Sequence, residues 1–170
     1  MQPDRYVIAR SRLGPMLVAA SPEGISRVRF GDGAAALETD LRDEGTAAVP
    51  APPGDPLHAW TRTIEAALEA WERAGTPPEL PLDLSRGTCF QRAVWSQLRA
   101  IAWGETRTYG QIARRLGVPG GARAVARACA TNPVALLVPC HRIVPQAGGP
   151  GGYQWGTVRK RLILGWEASR

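Results

Sequence analysis

Three adjacent residues, Cys140-His141-Arg142, put a thiol beside an imidazole and a guanidinium. The thiolate is the nucleophilic form of cysteine, and neighbouring cationic groups lower the pKa at which it forms. The triplet therefore points to a reactive thiol with a lowered pKa. Residues 133–139, an apolar segment between two prolines, precede it and read as a short buried strand that delivers it. Cys89 and Cys129 fall within helical patterns with no histidine beside them and read as small buried hydrophobes. Neighbouring side chains of an extended segment point to opposite sides. His141 would then reach Cys140 through a turn or a bridging water, not directly. A cysteine hydrolase is one chemistry open to such a set. It needs a histidine and an orienting carboxylate or amide, for which Asn132 and Glu167 are the candidates. The other histidine, His58, lies far away in the chain, before Trp60. A thiol that serves a DNA-binding regulator as a sensor is a further reading.

The half of the chain around this triplet is strongly basic. The net charge is +6 over 170 residues, yet residues 1–84 hold 8 Arg and 13 acids, whereas residues 85–170 hold 12 Arg, 1 Lys and 2 acids, Glu105 and Glu167. Such a half points to a polyanionic partner, with nucleic acid first. A solvated Arg-rich surface is the plainer alternative. All the basic residues but one are arginine, whose planar fork suits phosphate. The length allows one ordinary domain or two small ones, and 44% apolar residues suffice for a core. With 19 Gly and 15 Pro, a simple helical bundle is excluded. Three cysteines without a CxxC pair speak against a disulfide framework or a Cys-rich zinc site. No apolar run nears the about 20 residues of a membrane span. The N-terminal segment lacks the basic-then-apolar pattern of a signal peptide. A cytoplasmic protein with free thiols, away from membranes, is expected.

The elements that must position the triplet are readable in part. Residues 6–9 and 16–20 flank a turn, Arg12-Leu13-Gly14-Pro15, and Ser21-Pro22-Glu23-Gly24 has the signature of a type I turn. Ser26, Val28 and Phe30 alternate with Arg27 and Arg29 as on a strand. Residues 45–56 read as a loop. Asp55-Pro56 starts a helix whose apolar face is Trp60, Ile64, Leu68 and Trp71, ended by Gly75-Thr76-Pro77-Pro78. Leu80, Leu82 and Leu84 read as a short edge strand. The charge sign flips near Ser85. Thr88-Cys89-Phe90-Gln91 and Thr108-Tyr109-Gly110-Gln111 are two capping boxes. The second opens a helix over residues 109–116. Val118-Pro119-Gly120 then turns the chain into a helix over residues 121–130, rich in small side chains, with Arg123 and Arg127 on one face. Two short helices joined in this way resemble a helix-turn-helix, and equally an ordinary helical hairpin.

Pro139-Cys140-His141-Arg142-Ile143-Val144 resembles the active-site signature of the O6-alkylguanine-DNA alkyltransferases. Four further stretches resemble the family in order and spacing. They are residues 104–110, Ala122-Arg123-Ala124-Val125, Asn132-Pro133 and Gly152-Tyr153-Gln154-Trp155-Gly156. The resemblance is strong over residues 85–170 and weak before them. It implies an α+β fold of two domains: residues 1–84, a small N-terminal α/β domain with an antiparallel sheet, and residues 85–170, a mostly helical alkyltransferase and DNA-binding domain containing the helix-turn-helix. It implies direct-reversal DNA repair without a cofactor. An alkyl group moves once and irreversibly from guanine O6, or from thymine O4, to Cys140. In that scheme His141 holds the thiolate through a water, Glu167 orients His141, and Tyr109 donates a hydrogen bond to the leaving base. Asn132 fixes the turn before the active site. The family's partner is double-stranded DNA, entered through the minor groove by Ala122, Arg123, Ala124 and Arg127 with Tyr109. The nucleotide is flipped out and Arg123 fills its place. Ile143, Tyr153, Gln154 and Trp155 would line the base pocket, with the Trp155 indole narrowing it against bulky adducts. A monomer, associated with the nucleoid, is expected. Some members hold a zinc in the N-terminal lobe; residues 1–84 contain no Cys and one His, so no metal is expected. The alternative is an alkyltransferase-like protein that binds alkylated DNA without repairing it. Such relatives lack the reactive cysteine, which is present here.

Overall fold

The computed structural model describes residues 3–45 and 47–169. Met1 and Gln2 of the segment read for a leader, and Thr46 of the stretch read as loop, lie outside the described residues, as does Arg170. The chain divides into two compact units, residues 1–84 and 85–170.

The first unit is built on a four-stranded sheet in the order β3-β2-β1-β4. Strands β1 (Asp4–Ser11), β2 (Gly14–Ser21) and β3 (Gly24–Phe30) form an antiparallel meander. Gly24 sits where β3 meets the chain at Pro81. Its φ is +149°, and a Cβ there would lie 2.7 Å from the Pro81 carbonyl, so both conformation and space require glycine. Residues 16–20 of β2 are all fully buried. Such a continuous apolar run means that both faces of the strand are covered. Leu17 and Ala19 pack with Leu37 and Leu41 of α1 (Ala34–Asp43), and α2 (Pro56–Glu69) packs on β1 and β2.

Three readings of this unit are corrected, and one helix carries no reading at all. The helix α1 was not foreseen, since only two of its residues, Leu37 and Leu41, are buried. The stretch read as loop contains β4 (Ala48–Pro50), which pairs parallel to β1, so the sheet is mixed and not purely antiparallel. An edge position tolerates the proline that ends it. The helix read through Trp71 breaks at Ala70 (φ −111°, ψ 15°), leaving α3 (Trp71–Ala74) as a separate turn. The Leu80–Leu84 segment makes a single bridge, Leu82 to Ile25, in place of a strand.

The second unit is mostly helical. Both capping boxes form as read, with Thr88 and Gln91 opening α4 (Cys89–Arg99) and Thr108 and Gln111 opening α5 (Tyr109–Arg115). Helices α4, α5 and α6 (Ala122–Ala130) pack on one another. The α5–α6 pair is consistent with a helix-turn-helix. Val125, Ala128 and Cys129 form the buried face of α6. The Trp95 indole donates to the Ala128 carbonyl at 2.9 Å, which fixes α6 against α4. Two short strands, β5 (Arg107–Thr108) and β6 (Ile143–Val144), pair in parallel. This pairing brings the start of α5 beside the Cys140 segment. The last helix, α7 (Thr157–Ala168), packs on that segment. The whole is an α+β fold: a small N-terminal unit with a mixed sheet and a helical C-terminal unit. No described helix is long and apolar enough to cross a membrane.

Candidate active site

The site is assembled by a turn, not a strand. Between Asn132 and Cys140 the apolar segment folds on itself. Leu136 has a left-handed φ of 69°, and Val138 N donates to Val134 O at 3.1 Å. Cys140–Arg142 then form one 3-10 turn. The extended delivery read from the sequence is corrected here. Seven consecutive apolar and proline residues suggested a strand, but among the described residues of this segment only Val134 is bridged, and the rest is turn and irregular backbone.

Asn132 organises this turn from inside. It is fully buried. Its Oδ1 accepts from Val134 N at 3.1 Å, and its Nδ2 donates to Val138 O at 2.8 Å and to Cys140 Sγ at 3.1 Å. An amide donor on the sulfur favours the thiolate. Burial opposes it and wins: the Cys140 thiol is pushed up to about 11, with Asn132 and the Lys160 charge pulling the other way. The lowered thiol pKa read from the triplet is thus corrected. Burial also pushes the His141 pKa below its usual value, so the imidazole is neutral at pH 7. The Arg142 guanidinium is engaged elsewhere.

That engagement is a buried ion-pair network. Arg142 donates through Nε to Glu167 Oε2 and through a terminal nitrogen to Glu167 Oε1, each at 2.9 Å, and to Ile101 O at 2.8 Å. Its guanidinium also lies 5.2 Å from the Trp103 ring centre. His141 Nε2 is 2.9 Å from Glu167 Oε1. Burial would raise the Glu167 carboxyl, but the bonds from His141 and Arg142 carry it down to about 2. It is ionised, with Arg142 as its counter-charge. Glu167 Oε1 can accept the Nε2 proton of neutral His141, and that tautomer leaves Nδ1 as the basic nitrogen.

A cavity of about 300 Å³ opens over the thiol, lined by Tyr109, Cys129, Cys140, Tyr153 and Gln154 among others. Tyr109, the first residue of α5, is carried there by the β5–β6 pairing. The Tyr153 hydroxyl is buried with no hydrogen-bond partner among the described residues. With its amide nitrogen facing inward, Gln154 donates to Ala130 O at 2.9 Å and Asn132 O at 3.2 Å. Ile143 and Trp155 are buried and do not line the cavity. Trp155 stands edge-on to Tyr153, with ring centres 5.1 Å apart, and so bears on the cavity through that ring. On α6, Arg123 and Arg127 are exposed, and Ala122 and Ala124 are half-buried between them and the core.

One participant went unread, and a second was read with the wrong partner. Lys160 is almost fully buried, and its Nζ donates to Ile143 O at 2.6 Å and Gly152 O at 3.1 Å. It ties Ile143 of β6 to Gly152, which lines the cavity. Its signal was its rarity: it is the one lysine among twenty arginines. Arg142 was read as a partner of the thiol; its companion, Glu167, is twenty-five residues away along the chain. Among the described residues no group of three or more His, Cys, Asp or Glu could hold a metal ion.

A consequence of the raised thiol pKa is measurable. Alkylation of Cys140 by a small neutral reagent should accelerate about tenfold per pH unit from pH 7 towards 10, because the reactive thiolate is the minor form throughout. Peptide mapping of iodoacetamide-treated protein reads this. A rate that levels off below pH 8 would place the thiol pKa in the lowered range.

Residues 89–169 match the family model described as the DNA-binding domain of 6-O-methylguanine DNA methyltransferase. The chain is 51% identical over 165 residues to the methylated-DNA–protein-cysteine methyltransferase of Mycobacterium bovis, covering 97% of this chain and 93% of that one. It is 43% identical over 164 residues to the bifunctional transcriptional activator/DNA repair enzyme Ada of Escherichia coli, covering 96% of this chain and 45% of Ada. It thus spans about half the length of the Ada relatives of E. coli and Salmonella. Among solved structures, that of Mycobacterium tuberculosis OGT in complex with DNA superposes with a TM-score of 0.76 at 35% identity, covering 99% of this chain and 94% of that one. The chain belongs to the methylated-DNA–protein-cysteine methyltransferase family.

Proposed function

We propose that this protein repairs O6-alkylguanine in double-stranded DNA by a single, irreversible transfer of the alkyl group to Cys140, with thymine O4 as a second substrate position. The observation that carries the reading is Cys140 Sγ at a cavity wall, held by Asn132, beside a neutral imidazole backed by an ionised carboxylate. His141, oriented by Glu167, takes the Cys140 proton through a water. The thiolate attacks the alkyl carbon, the carbon–O6 bond breaks, and its electron pair stays on the guanine. Tyr109 donates a hydrogen bond to the departing base and offsets that charge. The thioether is stable, so each molecule acts once and needs no cofactor. Tyr153 and Gln154 line the base pocket, with Ile143 and Trp155 behind them.

The duplex hides the O6 position, so the nucleotide must be flipped out. Helix α6 enters the minor groove, where its small residues Ala122 and Ala124 allow close approach, Arg127 contacts the backbone and Arg123 fills the vacated stack. The protein acts as a cytoplasmic monomer on the nucleoid. Arg123→Ala should slow repair of duplex DNA by about ten- to a hundred-fold, the range expected when one positioning contact is lost. Reaction with the free modified base should hardly change. Single-turnover kinetics on both substrates check this, and equal losses would remove Arg123 from flipping. The overall reading is tested by titration: repair of DNA carrying O6-methylguanine should stop at one base per protein molecule. Continued turnover would favour a hydrolase, and binding with no repair would favour an alkyltransferase-like binder.

A further inference from the structure

Two of the three cysteines line one cavity. Cys129 lies in the last turn of α6, on its buried face, and shares the cavity with Cys140. Asn132 joins them: its backbone N–H donates to Cys129 O at 3.2 Å while its side-chain amide donates to Cys140 Sγ at 3.1 Å. Cys89 is exposed on α4 and does not line this cavity. Burial holds the cavity's tyrosine hydroxyls, on Tyr109 and Tyr153, protonated and pushes the Cys129 thiol up to about 12 as well. Among the described residues that line the cavity, Cys129 carries the one sulfur beside the acceptor, and sulfur is the softer nucleophile. Nothing in single-alkyl transfer uses it.

We propose that Cys129 is a second acceptor, which captures two-carbon adducts carrying a leaving group on their outer carbon by closing a dithioether bridge to Cys140. The inference rests on alkyl transfer to Cys140. For a 2-chloroethyl adduct, Cys140 sulfur first bonds the inner carbon as the carbon–O6 bond breaks. The new thioether sulfur then displaces chloride from its own chain and forms a three-membered sulfonium ring. Cys129 sulfur attacks a ring carbon, the broken carbon–sulfur pair returns to Cys140, and the Cys129 proton leaves to solvent. The products are chloride, a proton and an ethylene bridge between two divalent sulfurs, with no oxidant or reductant. The sulfonium charge beside Cys129 itself favours loss of the thiol proton. Two carbons reach further than a disulfide, so the strict sulfur–sulfur geometry of a cystine is not required. Water and DNA compete for the same sulfonium, but a thiol fixed in the same cavity acts at a high effective concentration. Capture would keep an electrophile anchored at the lesion from cross-linking the protein to DNA.

Trypsin should release residues 128–142 as one peptide, which contains both cysteines and neither Cys89 nor another thiol. Wild-type protein is mixed with duplex carrying one freshly prepared O6-(2-chloroethyl)guanine, and in parallel with duplex carrying O6-methylguanine. The expected peptide from the first reaction has gained one ethylene bridge, has no free thiol and gives no backbone fragments between Cys129 and Cys140. With Cys129→Ala and Cys129→Ser, a hydroxyethyl group on Cys140 and DNA-linked protein should replace the bridge, rising several-fold over wild type. A wild-type peptide with hydroxyethyl on Cys140 and a free Cys129 thiol overturns the proposal. If methyl transfer succeeds in the parallel reaction, that result leaves the repair reading standing. If methyl transfer also fails, both fall. The wild-type map decides without the variants.

Discussion

Cys140→Ser should lose alkyl transfer by at least about three decades while binding DNA within a few-fold of wild type. A serine hydroxyl is a far weaker nucleophile than a thiol, and the base that activates it here is a single neutral imidazole. The substitution keeps an acceptor for the Asn132 amide, so the turn that presents it should survive. DNA affinity comes mainly from contacts between basic side chains and phosphates, and Arg123 and Arg127, proposed to make them, are exposed on α6. Single-turnover repair and a binding isotherm on the same preparation measure both quantities. Repair by the serine variant at a tenth of the wild-type rate or better would reject Cys140 as the acceptor. Loss of DNA binding in step with repair would mean that the substitution disturbs α6 and not the chemistry alone.

Glu167→Ala should be the most destabilising change in the second unit. It leaves the Arg142 guanidinium buried beside His141 with no counter-charge. Breaking one side of such a pair costs about 3–5 kcal/mol, enough to lower the unfolding midpoint of this unit by more than about 10 °C. Repair should fall as well, since His141 loses the group that sets its tautomer. The double variant Glu167→Leu, Arg142→Met should regain most of the stability but none of the repair, because apolar groups replace the pair without replacing its effect on His141. If the double variant is no more stable than Glu167→Ala, packing and not the ion pair is what Glu167 supplies. The same network sets the acid limit. His141 is lowered when folded, so its contribution fades as pH falls below about 6.5. Glu167 is also lowered, so its contribution is present above about 4.5 and fades as pH falls towards about 2. Both losses run in one direction, and stability should decline steadily on acidification from pH 6.5. Denaturant midpoints measured between pH 7 and 3 follow it.

Local signals carried much of this structure into the sequence. The capping boxes at Thr88 and Thr108 each need only four residues, and both form. The meander of β1 to β3 follows from its turns. What failed was long-range. Whether residues 133–139 make a strand depends on pairing along their length, and among the described residues only Val134 is bridged. The pKa of Cys140 depends on how deeply the turn is buried, and its neighbours in sequence suggested the opposite direction. Arg142 points at Glu167, across a separation along the chain that no local pattern reports. Lys160 was passed over because a single charge on an amphipathic helix reads as exposed, although the structure buries it between two carbonyls. Trp155 was read as pocket wall from its place beside Gln154; in the fold it stands behind Tyr153.

The most direct test is to mix the protein with duplex DNA carrying one O6-methylguanine, then to map the methyl group by peptide mass. One methyl on Cys140, none on Cys89 or Cys129, and plain guanine in the DNA are expected. Unmodified protein with repaired DNA, or a methyl group on any other residue, would contradict transfer to Cys140.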